Sequence, residues 1–510
     1  MSLAVLNSCA LSGLDFIDVR VEAHVAPGLP AFHIVGLPDA GIRESRERIR
    51  AALQASGFDF PAARLTINLA PADLPKDSGR FDLPVALAIL LASGQLSRPD
   101  DKQREQAITG LDRYVMAGEL SLTGAVVPVQ SALTIALGMA RRHPELCLLL
   151  PAQSAEVAAH VPDLQVCGVA SLAEAAGYLR GDKELEPALA KPWPELNEGQ
   201  QLCLSDVLGQ PLACRALEVA AAGGHSLLLN GSPGVGKTML AQRLPGLLPD
   251  LDRYAQLEVA ALYSFVQEQD FFSRRPPFRA PHHSISTPAL IGGGSRPRPG
   301  EVSLAHRGVL FLDELPEFNR RALEALREPL EQACVRISRT QKQAVFPAQF
   351  QFVAAMNPCP CGWAASRHRV CRCSPSQREL YRQRLSGPML DRIDLLVTMT
   401  EVDSERAQAA EPSSHIKERV QKAIERQLLR QRSRNAHLTV SGFKKYGLLS
   451  GEAAQLLTNA RQRWQWSERG QGRLLRVALT IADLAGSKEI TRSHLAEALQ
   501  FRADLMATVW

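Results

Sequence analysis

Apolar residues in the middle of the chain occur in short continuous runs, each followed by a polar or glycine-rich turn. Residues 226–230, 308–312 and 351–356 contain such runs. Runs of this length that are bounded by turn residues predict strands buried in a sheet. The first run is followed at residues 239–244 by a helical pattern that a proline ends. Strands interleaved with helices therefore predict an α/β core over residues 201–400.

The N-terminal part of the chain, residues 1–180, mixes alternating strand patterns with alanine-rich helical ones. Strands are predicted at residues 31–36 and 65–69, and helices at residues 42–55 and 84–93. The first of these helices carries opposite charges four residues apart, a spacing that stabilises helices. We therefore predict a separate α/β domain here.

A linker and a helical region complete the predicted organisation. Residues 181–200 hold three prolines, several acidic residues and little periodicity, which indicates a domain boundary. Residues 401–510 contain helical patterns at 416–431 and 473–485. Three domains agree with the length of 510 residues.

Composition excludes several classes of protein. The longest apolar run, residues 85–92, is too short for a membrane helix, which needs about 20 residues. No basic leader precedes the first apolar residues, and ten cysteines in so long a chain do not indicate a disulfide framework. A cytoplasmic protein without membrane contact is expected. The net charge is +5, and residues 401–510, with 18 Lys+Arg against 12 Asp+Glu, suit an anionic partner or a solvated helical face.

Residues 231–238 match G-x-x-x-x-G-K-[ST], the phosphate-binding P-loop, between a predicted strand and a predicted helix. The glycines allow backbone N–H groups to surround phosphates at a helix N-terminus. Lys237 can reach the β- and γ-phosphates, and Thr238 can bind Mg²⁺. ATP and Mg²⁺ are the expected cofactors, and the expected nucleotide-binding residues are Gly231, Ser232, Pro233, Gly234, Val235, Gly236, Lys237 and Thr238.

Two later apolar runs end in residues suited to phosphoryl transfer. Asp313 and Glu314 follow the run at 308–312, the Walker B pattern. Asp313 can hold Mg²⁺, and Glu314 can orient or deprotonate the attacking water. Asn357 follows the run at 351–356 and suits the sensor-1 role of holding that water. The alternative for Asp313 and Glu314 is a buried strand that ends by chance in an acidic turn. The P-loop upstream makes this alternative less favoured.

Cysteine and histidine groups raise the question of a metal. Four cysteines within fifteen residues can supply a tetrahedral thiolate set for zinc: Cys359, Cys361, Cys371 and Cys373. Their C-x-C spacing is tighter than usual, so zinc and a reduced, metal-free loop both stay open. The pair His282 and His283 lacks further ligands nearby, which favours structural hydrogen bonding.

The order P-loop, Walker B and sensor 1, followed by L-D-R-I-D at residues 390–394, resembles AAA+ ATPases of the magnesium-chelatase/MCM type. The resemblance implies that Arg392 is a finger reaching into the neighbouring subunit's site. A local salt bridge with Asp391 or Asp394 is the alternative. The same resemblance implies that residues 401–510 form a lid that supplies a sensor-2 arginine. The candidates for that arginine are Arg469 and Arg473, with Arg476 less favoured.

Residues 335–345 alternate apolar and polar side chains around a basic tip, which predicts a β-hairpin. In the family that the chain resembles, such a hairpin points into the pore of a hexamer. That implies phosphate contacts with DNA for Arg336, Arg339 and Lys342. An ordinary solvated hairpin is the alternative.

The N-terminal part resembles the proteolytic domain of Lon, whose fold is ribosomal-protein-S5-like. Residues 76–84 and 118–124 carry the resemblance. Lon uses a Ser–Lys dyad, but Arg80 stands where the serine would be and Leu133 where the lysine would be. The resemblance therefore implies an inactive relative that serves assembly or partner contact.

Nearly the whole chain resembles the ComM/YifB group, with residues 36–39, the Cys-Pro-Cys cluster, residues 390–394 and residues 480–484 as signature. This resemblance implies a hexameric ring and a DNA helicase that drives branch migration during natural transformation. The implied partners are single-stranded and branched DNA, with recombination proteins possible. A chelatase-like ATPase that remodels a partner protein without DNA contact is the alternative. The missing dyad disfavours a protease.

Overall fold

The computed structural model describes residues 2–36, 40–72, 79–96, 111–182, 184–192, 202–266, 272–294, 297–339, 342–402, 408–464 and 467–509. Two stretches that carried a family resemblance, residues 37–39 and 76–78, lie outside the described residues. So does the end of the predicted linker, residues 193–200.

A seven-stranded mixed sheet lies at the centre of the N-terminal part. Its strands, with one small separate pair, are β1 (Ser2–Ser12), β2 (Asp15–Ala26), β3 (Ala31–Val35), β4 (Arg64–Ala70), β5 (Tyr114–Met116), β6 (Glu119–Leu120), β7 (Val126–Val127), β8 (Cys147–Pro151) and β9 (Gln165–Val169). The order in the sheet is β3-β4-β2-β1-β5-β8-β9. The antiparallel pair β1–β2 stands in the middle, with parallel pairs on both sides.

Among the described residues, five helices accompany this sheet: α1 (Ala40–Ala55), α2 (Asp82–Ala92), α3 (Ala132–Arg142), α4 (Ala152–Ala158) and α5 (Leu172–Leu179). Helix α2 is apolar on nearly all sides because it is buried against β1 and β2. Its Pro84 stands in the first turn, where a missing N–H leaves no bond unmade.

In the central part, the residues that the structure describes form nine strands: β10 (Leu227–Gly231), β11 (Phe278–Arg279), β12 (Gly292–Gly293), β13 (Arg298–Pro299), β14 (Val309–Leu312), β15 (Cys334–Arg339), β16 (Lys342–Pro347), β17 (Gln351–Met356) and β18 (Leu395–Met399). Five of them form a fully parallel sheet in the order β11-β14-β17-β10-β18. The carboxyl ends of neighbouring parallel strands meet at one edge of a sheet. Residues that follow β10, β14 and β17 are therefore brought together.

The helices of this part are α6 (Pro211–Gly223), α7 (Lys237–Ala241), α8 (Arg253–Tyr263), α9 (Thr287–Ile291), α10 (Glu301–Leu304), α11 (Arg320–Ala325), α12 (Arg327–Gln332), α13 (Pro375–Gln383) and α14 (Gly387–Leu390). The strands β12 and β13, and likewise β15 and β16, form antiparallel pairs apart from the parallel sheet. The pair β15–β16 is the predicted hairpin.

The C-terminal part is helical, with α15 (Ser413–Gln431), α16 (Val440–Tyr446), α17 (Gly451–Trp464), α18 (Glu468–Ala485) and α19 (Arg492–Val509). It joins the parallel sheet through a shared apolar core. Buried Asp483 accepts from Arg430 Nη1 at 2.6 Å and fixes α15 to α18. The whole is a mixed α/β protein with a parallel sheet and a C-terminal helical region. No helix among the described residues has the length and apolar character needed to cross a membrane.

Among the described residues, two of the contacts between the N-terminal part and the central part involve α3 and the β1–β2 turn. Helix α3 packs on α8, where Arg141 Nη2 lies 2.6 Å from Glu258 Oε1. At the second place, the β1–β2 turn docks on β16. Gly13 bridges Val345, and a Cβ at Gly13 would lie 2.6 Å from the Val345 oxygen. Only a residue without a side chain permits that approach.

Candidate active site

The loop between β10 and α7 is shaped by two glycines. Gly234 and Gly236 have φ angles of 82° and 94°, a left-handed backbone that glycine adopts without steric cost. Gly236 stands directly before α7, and no side chain caps that helix. The N–H groups of its first turn therefore stay free for an anion. This geometry fits the phosphates of a nucleotide.

Lys237 points back into the loop that it follows. Its Nζ donates to the carbonyl oxygens of Gly231 at 2.6 Å and Ser232 at 3.0 Å, and to Asn357 Oδ1 at 3.0 Å. Burial lowers the pKa of Lys237, and the carboxylates of Asp313 and Glu314 oppose that shift. The ammonium group thus already lies where a phosphate chain would enter.

Thr238 and Asp313 meet across the edge of the sheet. Thr238 Oγ1 donates to Asp313 Oδ2 at 2.7 Å, and the Glu314 amide donates to Asp313 Oδ1 at 2.9 Å. Mg²⁺ takes oxygen ligands in an octahedron at about 2.1 Å, so adjacent ligand oxygens lie about 3 Å apart. A hydroxyl and a carboxylate at this separation fit that ion. The structure thus brings together Thr238 and Asp313, the two predicted Mg²⁺ ligands.

Glu314 follows β14 in a left-handed conformation, with φ of 52°. Its Oε2 lies 3.0 Å from His283 Nδ1, and the His282 and His283 rings lie 4.1 Å apart. The sequence favoured hydrogen bonding over metal binding for this pair but gave no hint of Glu314 as the partner. A residue 31 positions away is brought near only because β11 and β14 are adjacent strands.

Asn357 follows β17, the strand between β10 and β14. Its side-chain oxygen accepts from Lys237, as given above. The sensor-1 position predicted from sequence therefore lies between the P-loop and the carboxylates. Together these five side chains form one polar cluster at the carboxyl edge of the sheet: Lys237, Thr238, Asp313, Glu314 and Asn357.

Arg392 lies at the opposite edge of the sheet. Its guanidinium pairs with Glu331 and donates to the Pro388 oxygen at 2.5 Å. Among the described residues, neither Asp391 nor Asp394 pairs with it, so the predicted alternative is replaced by a pairing with Glu331. Ser226, directly before β10, donates its hydroxyl to the Arg392 oxygen at 2.7 Å.

The length of β10 separates Arg392 from the P-loop of its own chain. At about 3.3 Å per residue, a strand of this length places its two ends roughly 13 Å apart. The P-loop follows the carboxyl end of β10. The Arg392 oxygen is hydrogen-bonded to Ser226, directly before the amino end of the same strand. The backbone of Arg392 therefore lies away from the P-loop of its own chain.

Arg473 also lies at this amino edge, with Nη1 3.8 Å from Asp394 Oδ1. Burial would raise the pKa of Asp394, but the hydrogen bond from His225 and the charges of Arg473 and Arg502 outweigh it and lower the pKa to about 2. The structure thus places Arg473, a predicted nucleotide-binding residue, beside Asp394 at the amino edge of the sheet.

The two other sensor-2 candidates differ in their surroundings. Arg469 is exposed in the first turn of α18. Arg476 donates to the carbonyl oxygens of Ala436 and Leu438 at 3.0 and 3.2 Å, which ties α18 to the segment before α16. Arg476 has a structural role, and the choice between Arg469 and Arg473 stays a prediction.

The hairpin of β15 and β16 has one buried and one exposed face. Ile337 is buried, whereas Arg336 is exposed. The backbones of Arg339 and Lys342 pair at the last rung before the tip, but their side chains lie outside the described residues. The hairpin bounds are 334–339 and 342–347, close to the predicted 335–345.

The four cysteines lie next to this polar cluster, in the segment that follows Asn357. All four are free thiols, and their sulfur atoms converge. The fold and the site together define a P-loop nucleotide-binding protein in which a Walker B strand and a sensor strand flank the phosphate loop.

Comparison with known proteins agrees with this class. The family models described as "Subunit ChlI of Mg-chelatase", "Magnesium chelatase, subunit ChlI" and "Magnesium chelatase, subunit ChlI C-terminal" match residues 21–154, 203–407 and 410–502. The uncharacterized protein YifB of Escherichia coli K12 is 44% identical over 510 residues, covering 99% of this chain and 97% of that protein. The competence protein ComM of Haemophilus influenzae is 42% identical over 512 residues, covering 99% and 98%.

These matches show the family. The chain belongs to the ComM/YifB family of magnesium-chelatase-like AAA+ proteins. Membership carries with it an ATPase-type site that uses nucleotide and Mg²⁺.

Proposed function

We propose that this protein is a ring-forming, ATP-dependent DNA motor, a helicase that drives branch migration in homologous recombination during natural transformation. A relative named a competence protein supports the link with transformation. The polar cluster at the carboxyl edge of the parallel sheet supports the ATP-driven part. The proposed partners are single-stranded and branched DNA, recombination proteins and further copies of the chain in a hexamer, in the cytoplasm.

In the proposed reaction, the P-loop amides and Lys237 hold the phosphates of ATP. Thr238 and Asp313 hold Mg²⁺, which would offset phosphate charge when bound. Glu314 orients the attacking water and accepts its proton, so that the bond to the leaving diphosphate can break. Asn357 positions that water beside the γ-phosphate.

The observation that carries the ring is the location of Arg392. This arginine lies at the amino edge of the sheet, whereas the P-loop of its own chain lies at the carboxyl edge. An arginine supplied in trans stabilises the charge of the transition state in related phosphoryl-transfer systems. A site that needs Arg392 is complete only between two subunits.

The DNA part of the proposal rests on the hairpin. Arg336 presents a positive charge to solvent on its open face. The hairpin follows α12 and leads into β17, which ends directly before Asn357, so it is joined in sequence to the nucleotide site. Basic groups there suit the phosphate backbone, which is recognised without regard to base sequence.

Changing Arg339 and Lys342 together to alanine should weaken DNA binding while basal ATPase and ring assembly persist. Because each phosphate contact releases counterions, the slope of log K against log salt should become shallower by about one to two units. Binding to a branched DNA, measured by fluorescence anisotropy across salt concentrations, tests this. The change of exposed Lys444 and Lys445 to alanine removes the same charge from α16 and serves as the control.

Parent-like DNA binding by the hairpin variant would contradict the role of the hairpin. If the α16 control lost affinity instead, the basic C-terminal region would be the DNA contact. If neither DNA form bound to the parent or raised its ATPase, the alternative of a remodelling ATPase without DNA contact would replace the proposal.

We further propose that the N-terminal part is an S5-like, non-proteolytic domain for assembly or partner contact. Arg80 occupies a short turn at 79–81, and buried Leu133 lies in α3, so neither position supplies a nucleophile or a base. Ser78 lies outside the described residues. The docking of Gly13 on the hairpin strand β16 supports a role in holding that hairpin.

A further inference from the structure

The segment from 357 to 374 connects β17 to α13 without any helix or strand. Cys359 and Cys361 stand near its start, and Cys371 and Cys373 near its end. Irregular connections of this length are uncommon in compact domains unless they are functional. A cross-link between the two ends would hold such a segment in one shape.

The four sulfur atoms already have the spacing of such a cross-link. All lie within 4.8 Å of one another, and Cys359 Sγ is 3.4 Å from Cys361 Sγ and 3.6 Å from Cys371 Sγ. Thiolates in a tetrahedron about 2.3 Å from zinc are about 3.8 Å apart. The observed separations fit one ion and exceed by far the ~2.05 Å of a disulfide bond.

This loop forms part of the wall of the nucleotide site. A Cβ at Gly362 would lie 2.6 Å from Pro233 Cδ in the P-loop, so Gly362 packs closely against the Pro233 ring. Cys359, fully buried, comes two residues after Asn357, whose oxygen accepts from Lys237 at 3.0 Å. The loop thus contacts the P-loop at Pro233 and leads directly from Asn357.

We propose that the four cysteines bind one Zn²⁺, and that this ion fixes the positions of Asn357 and Pro233 at the nucleotide site. The ion is structural and takes no part in phosphoryl transfer. Its ligands come from both ends of the segment, so its removal frees the loop that carries Asn357 and leans on the P-loop. The metal site stands independently of the proposed function, whereas its positioning role rests on that function.

Metal analysis of the full-length protein, kept reduced throughout, should find about one zinc per chain. Changing Cys371 and Cys373 together to serine should abolish it, while Cys334→Ser, outside the cluster, should keep it. Exchange of the parent into Co²⁺ should give the visible absorption of a tetrahedral tetrathiolate site. Far less than one thiolate-bound metal per chain, or zinc retained by the double variant, would overturn the site.

The positioning role is tested on the parent, stripped of zinc by a chelator and then reloaded. Affinity for a non-hydrolysable ATP analogue should fall about tenfold, the weight of roughly one charge-assisted hydrogen bond, and should return with zinc. Asn357→Ala should keep zinc and lose turnover. Unchanged affinity after verified zinc loss would refute the role. A parent that binds zinc and ATP analogue but shows no DNA activity would refute only the proposed function.

Discussion

Replacing Arg392 by alanine should reduce ATP turnover by a factor of about 10³ or more while ATP affinity stays within a few-fold of the parent's. An arginine finger contributes about 10³–10⁵ to the rate because it meets charge that develops only in the transition state. Steady-state ATPase and equilibrium binding of a fluorescent ATP analogue separate the two effects.

Two controls decide how Arg392 acts. Glu331→Gln removes the partner that Arg392 has within its own chain, and it should keep most activity if Arg392 serves catalysis. Mixing Arg392→Ala subunits with Lys237→Ala subunits should restore part of the activity, since some interfaces then combine an intact P-loop with an intact arginine. Equal loss of binding and turnover in Arg392→Ala, or no restoration on mixing, would indicate a structural role.

Replacing Glu314 by glutamine should lower kcat about 10²–10⁴-fold, the usual contribution of a general base, while ATP and Mg²⁺ still bind. The change keeps the shape of the side chain and removes its capacity to accept a proton. Asp313→Asn is the matched comparison. It should weaken Mg²⁺-dependent nucleotide binding, because the oxygen that faces Thr238 loses its charge.

Single-turnover hydrolysis and metal-dependent nucleotide binding measure the two variants. If Glu314→Gln turned over ATP within about threefold of the parent, another group would have to activate the water. Because His283 contacts Glu314, a pH profile of the parent and of His283→Ala would then show whether that histidine is the group.

The local elements of this protein follow closely from its sequence. The P-loop strand predicted at 226–230 is observed as β10 at 227–231, and the helix predicted at 84–93 is observed as α2 at 82–92. The helix after the P-loop spans residues 237–241 rather than 239–244, and it begins earlier because the motif itself supplies its first turn. Patterns of this kind depend on neighbouring residues, which the sequence displays directly.

The phosphate-binding role of the P-loop could also be predicted from the sequence. Its glycines, Lys237 and Thr238 stand at a fixed spacing within one short loop and the first turn of a helix. The proximity of Asp313 and Asn357 to them could be expected from the resemblance. It requires β14 and β17 to lie beside β10 in a parallel sheet, and that strand order is now observed.

Only the tertiary structure decided the remaining relations, because they join residues far apart in the chain. The contact of His283 with Glu314, the pairing of Arg392 with Glu331 and the placement of Arg473 at the amino edge depend on how strands and helices pack. The hydrophobic periodicity of the sequence does not predict such packing. The sequence by itself determined which side chains could bind and cleave a nucleotide. The folded chain decided which of these side chains lie together at the carboxyl edge of the sheet. It also placed Arg392 at the amino edge, one strand length away from them.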